Sequence, residues 1–145
     1  MIEFDQRISE QLSEVSLNSS IQVRVGTSNA FMVTASTILP LIEMFDMGGV
    51  YISASRGAVE IIEAFEEIGM PTERIHFIDL VSSGLLGGTE TQYDNITFID
   101  SPIMLESILL RTMYHMRTTP YERNFVILDS VNALAIYNED RKSVV

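Results

Sequence analysis

The sequence predicts an α/β domain, built as a three-layer α/β/α sandwich around a mainly parallel sheet. Three observations carry that expectation. Short apolar runs of strand type, GVYIS at 49–53, RIHFIDL at 74–80, ITFID at 96–100 and NFVIL at 124–128, alternate with longer stretches of helical period. Helix-ending and turn-forming residues fall between them. The chain has 145 residues, 46% of them hydrophobic and 20% charged, enough for one domain with its own core.

At the N-terminus, Phe4, Ile8, Leu12 and Val15 recur at helical spacing, so residues 1–18 are expected to hold an amphipathic helix. Asn18-Ser19-Ser20 breaks it. Ile21 to Val25 alternates like a strand, and Gly26 ends it. Residues 27–47 admit two readings. Ala30 to Val33 can form a second strand, or open a helix that runs to Phe45. The helix is preferred, with Pro40 either kinking it or standing in the first turn of a shorter one.

The next units are plainer. After the GVYIS strand, Ala58, Ile61, Ile62, Phe65 and Ile68 share one helix face, while Glu60, Glu63, Glu66 and Glu67 take the other. Gly69 and Pro71 mark the helix end. Residues 82–95 are rich in Ser, Gly, Thr and Asn and read as a loop. Ser101 and Pro102 can cap and open a further helix. Leu105, Ile108, Leu109, Met113 and Met116 give that helix a broad apolar face, and its methionines are expected to fill core. Thr119-Pro120 ends it. The α/β core is therefore expected over 20–140. The chain stops at Val145 in what reads as the start of another helix, so a fragment, or a fold completed by a partner, is expected.

Composition excludes several function classes. There are no cysteines, hence no disulfide framework and no thiolate metal site, which fits a cytoplasmic protein. No apolar run approaches the roughly 20 residues of a membrane span, and MIEFDQRISEQLSEV lacks the basic start of a signal peptide. The net charge is −11, which repels nucleic-acid backbones. Arg111, Arg117 and Arg123 come nearest to a basic patch and read as solvated surface residues. His76 and His115 lack a paired spacing and no Gly-x-Ser-x-Gly occurs, so neither zinc nor serine-hydrolase chemistry is indicated. The single lysine is Lys142, outside any strand, which removes receiver-type phosphoacceptor chemistry.

Asn124-Phe-Val-Ile-Leu-Asp-Ser-Val-Asn-Ala-Leu-Ala-Ile-Tyr-Asn138 resembles the Walker B segment of KaiC and related RecA-like ATPases. In that family an apolar strand ends in an aspartate that helps to hold Mg²⁺, followed by a serine. Asp129 and Ser130 match that pair. With GGVYISASR, RIHFID and FIDSP in the same order, the chain is similar over about residues 20–140 to archaeal KaiC-like proteins without a phosphate loop. The resemblance implies a RecA/KaiC-like (P-loop NTPase-like) fold and self-association into a homo-oligomer.

Three departures bear on the chemistry. A phosphate loop needs a glycine-rich turn followed by Lys and Ser or Thr. The corresponding stretch here is Gly26-Thr-Ser-Asn-Ala-Phe-Met-Val-Thr34, in which only Gly26 and Thr34 match. Phe31, Met32 and Val33 stand where bare backbone faces phosphate in the family. The lysine is missing. The family's catalytic glutamate after the GVYIS-like strand is replaced by Ala54-Ser55-Arg56. Each lost element can be worth about 10³-fold or more in rate.

Asp79, Asp100 and Asp129 end predicted strands, where open α/β sheets bind ligands. Oxygen ligands of this kind can take Mg²⁺; the alternative is that Asp79 and Asp100 cap helices or turns. The expected relic of a nucleotide site is Gly26, Thr34, Asp129 and Ser130, with Asp129 as its metal ligand and no catalytic residue. The resulting expectation is a non-catalytic, regulatory or protein-interaction module with no cofactor, neither Mg²⁺ nor ATP. Two other readings stay open: a nucleotide- or small-ligand-binding domain without hydrolysis, and a residual Mg-dependent hydrolase using Asp129.

Overall fold

The computed structural model describes residues 6–16, 19–20, 22, 30–82, 92–99 and 105–130. Of the expected strand at 21–25 only Gln22 is described; its other residues, and Gly26, Asp100, Ser101, Pro102 and Met104, lie outside them, as do residues 83–91 and 131–145.

The described elements are α1 (Gln6–Leu12), α2 (Ala30–Glu43), β1 (Gly48–Ser53), α3 (Ala58–Glu67), β2 (Ile75–Asp79), β3 (Ile96–Phe98), α4 (Leu105–Thr118) and β4 (Asn124–Asp129). The four strands form one sheet in the order β3-β2-β1-β4. Every neighbouring pair is parallel, with Ser53 level with Asp79 on one side and with Asp129 on the other. A parallel sheet needs both faces covered, and two core clusters do this. Tyr51, Phe77 and Phe125 point to one face and pack with Ile38 and Ile42 of α2 and Ile61, Ile62 and Phe65 of α3. Val50, Ile52 and Ile78 point to the other and pack with Ile99 and Ile108. The helices therefore lie on both faces of an all-parallel sheet. No helix among the described residues is long and apolar enough to cross a membrane.

Local chemistry explains the element ends. Residues 30–43 take the helical reading, and Pro40 sits inside α2 near its end. It has no amide to donate to the preceding turn, and the helix stops one turn later. β1 is buried along its whole length. It opens with two glycines because a Cβ on Gly48 would enter the Tyr121 ring and one on Gly49 the Phe125 ring. Helix α3 ends as Gly69 and Pro71 foretell. Gly69 adopts φ +80°, its amide donates to Glu66 O at 3.0 Å, and Met70 N donates to Phe65 O at 3.0 Å, the pattern of a Schellman cap.

One expectation fails. The methionines of α4 do not fill core. The helix seats Ile108 and Thr112 against the sheet, whereas Leu109, Leu110, Met113, Tyr114 and Met116 are exposed. The stripe 108–112–115 sets the helix's rotation, so the longer apolar side chains around it face outward. On the same face of the sheet, Val126 and Leu128 of β4 are exposed too.

Candidate functional site

The strand order reverses between β1 and β4: the chain moves outward from β1 through β2 to β3, then crosses back to β4. Such a switch point opens a crevice at the carboxyl ends of the strands. Here it is bordered by Ser53 to Arg56 from β1 and by Asp129 and Ser130 from β4. Ala54 N donates to Asp129 O at 2.7 Å, tying the two strand ends together.

Asp129 is half-buried. Its Oδ2 accepts a 2.6 Å hydrogen bond from the Tyr51 hydroxyl. Tyr51 is buried, and burial, then the charge and hydrogen bond of Asp129, hold its phenol far above the ordinary range, against a smaller pull from Arg56. The phenol therefore stays protonated and remains a donor to the carboxylate at any physiological pH. Tyr51 meets Phe65 edge-on, and Phe65 stacks on Phe31 with ring centroids 5.5 Å apart. The Arg56 guanidinium lies 6.0 Å from the Phe31 ring centre. An aromatic column thus runs from the first turn of α2 to Asp129.

Asp79 is fully buried and engaged four times. Oδ2 accepts from Ala58 N at 2.8 Å and Ser82 Oγ at 2.7 Å; Oδ1 accepts from Val81 N at 2.8 Å and Ser82 N at 2.9 Å. A carboxylate has about four lone-pair sites, so this one is saturated. It caps α3 from a different strand, supplying the acceptor that Gly57 at the cap position has no side chain to provide. A Cβ on Gly57 would lie 2.7 Å from Ser82 Oγ. The carboxylate also meets the positive end of the helix dipole.

Of the residues singled out in the sequence, the structure brings Asp79 and Asp129 into one row, flanking Ser53. Two strand spacings, roughly 9.5 Å, separate their backbones, and the four bonds to Asp79 leave it no acceptor site for a shared cation. Among the described residues no three metal-binding side chains converge. Thr34 donates its hydroxyl to Ala30 O at 2.8 Å within α2. Ser130 is half-buried beside Asp129.

A second constellation escapes sequence reading. The rings of His76 on β2 and His115 on α4 stack with centroids 3.4 Å apart. The Thr97 hydroxyl lies 2.8 Å from His76 Nε2 and 3.4 Å from His115 Nε2. It can donate to one ring and accept from the other. Burial, and then the proximity of His115, push His76 down to about 4, with Asp94 opposing. His115 is lowered by burial and then by Arg111. Both shifts favour the neutral ring. The signal available in the sequence was slight: a histidine inside a strand and another on the inner stripe of a helix.

No family model, curated protein or solved structure matches the chain.

Proposed function

We propose that the chain is a non-hydrolysing RecA/KaiC-like domain that serves as a regulatory or protein-interaction module. The observation that carries this reading is the commitment of the crevice carboxylates to the protein's own fabric. Asp129 is held by the protonated Tyr51, and Asp79 spends all its acceptor capacity on α3 and the turn after β2. Phe65 packs on Tyr51 and Phe31 stacks on Phe65, adding apolar bulk behind that hydrogen bond. The sequence's single lysine is Lys142, so residues 26–34 hold no counterpart of the lysine with which a phosphate loop stabilises the transferring group. The exposed apolar side chains of α4 and β4 supply a surface of the kind that binding partners cover.

The test is a melting curve of the full chain with and without Mg–ATP and Mg–ADP, with phosphate release measured in parallel. No shift and no release are expected. A shift without release would move the assignment to a ligand-binding domain. Release that Asp129→Asn abolishes would move it to a hydrolase.

A further inference from the structure

We infer that the chain pairs with a second copy of itself through the outer face of α4, the two helices running antiparallel about a two-fold axis. The inference rests on the interaction-module reading and names its partner.

The inner stripe of α4 is Ile108, Thr112 and the half-buried His115. Directly opposite, at i, i+4, i+7 and i+11, lie Glu106, Leu110, Met113 and Arg117, all exposed. Leu110 retains 67% and Met113 40% of its accessible surface, and Leu109 and Tyr114 flank them at 60% and 58%. The stripe carries an acid at its N-terminal end, two large apolar groups at its centre and a base at its C-terminal end. That sequence is self-complementary. A two-fold axis passing between Arg111 and Thr112 sets Leu110 level with Met113 of the other copy, and Glu106 level with Arg117 of the other copy. Because the contact is isologous, each pair forms twice.

The charge distribution favours this face over others. The chain carries −11 overall, so contact between two copies is repulsive over most of the surface. The exposed glutamates of α3, at 60, 63, 66 and 67, lie on the other side of the sheet from α4. Exposed Arg111 and Arg117 against Glu106 leave α4 locally free of negative excess. Pairing through α4 turns the acidic α3 faces away from each other. It also covers the apolar groups that the core leaves out.

The experiment is sedimentation velocity on the full chain over a concentration series, with Leu110→Glu, Glu106→Arg and Arg117→Glu. All three positions are exposed, so melting curves should stay close to wild type. The wild type is expected at twice 16.3 kDa. Leu110→Glu should be monomeric. Each single charge reversal should weaken pairing about tenfold or more, because like charges then meet twice. An equimolar mixture of Glu106→Arg and Arg117→Glu chains should recover the pair, since each introduced charge then meets its opposite. A monomeric wild type, a dimeric Leu110→Glu, or a mixture no tighter than its components would overturn the inference. Nucleotide-dependent melting or turnover would instead overturn the module reading, and it registers in a different assay.

Discussion

The Tyr51 hydroxyl reaches across one strand spacing to Asp129 Oδ2, 2.6 Å away, joining the central strand to the last one at the mouth of the crevice. The two residues are diagonal neighbours on one face, the arrangement in which a long side chain on one strand meets its neighbour on the next. Tyr51→Phe should cost about 1.5–3 kcal/mol, the value of a hydrogen bond to a charged group. Asp129→Asn should cost less, because its amide oxygen still accepts from the phenol. Urea unfolding of the two variants checks the order; equal costs would mean that the bond contributes nothing specific.

Asp79 supports the fold at a different point. Asp79→Ala leaves the buried amide of Ala58 and the half-buried amides of Val81 and Ser82 without their acceptor. Each buried unmet donor costs about 1–3 kcal/mol. The sum, on the order of 3–5 kcal/mol, is a large share of the 5–15 kcal/mol that holds an ordinary domain together. The expected outcome is a chain unfolded or partly unfolded at 37 °C, read by circular dichroism. Asp79→Asn should be milder, since one oxygen continues to accept. A melting temperature for Asp79→Ala within a few degrees of wild type would refute the saturated-cap account.

The histidine pair makes stability depend on pH, with a definite sign. His76 sits at about 4 in the folded chain and near 6.5 when unfolded. Between those values the unfolded chain binds more protons, so stability rises with pH. The contribution is fully present above about 6.5 and is lost as pH falls towards 4. His115 is shifted in the same direction. Asp94 draws a proton towards His76 and Arg111 repels one from His115, so the pair responds to both charges. After allowing for solvent reaching the half-buried ring, the loss is on the order of 1–2 kcal/mol. Urea midpoints should fall as the pH is lowered from 7 to 4.5 for the wild type and flatten for His76→Phe. An unchanged slope in that variant would sink the assignment.

What the sequence could disclose follows the range of the interactions involved. Strands β1, β2 and β4 and helix α3 are written in local pattern, and so is the α3 cap at Gly69. The rotation of α4 is not. A helix with apolar residues on several sides offers more than one face to a sheet, and only packing against Val50, Ile52 and Ile78 selects Ile108 and Thr112. The same limit hides the site's partners. Tyr51 and Asp129 are 78 residues apart, and His76 and Thr97 are 21 apart. Asp79 illustrates the opposite case: a carboxylate at a strand end reads equally as ligand or cap, and its four donors identify it as a cap.

The all-parallel sheet also orders events in time. No hairpin can start it, because each parallel pairing waits for a crossover connection. The β1–α3–β2 unit closes locally, whereas β4 returns to β1 from 78 residues downstream at the Tyr51–Asp129 contact. At about 5–20 residues per second of synthesis, that return lags by about 4–16 s. During the interval, the β1 edge that β4 will cover is an open row of amides and carbonyls, competent to capture another nascent strand. The arrival of β4 is therefore the event that separates productive folding from association between unfinished chains.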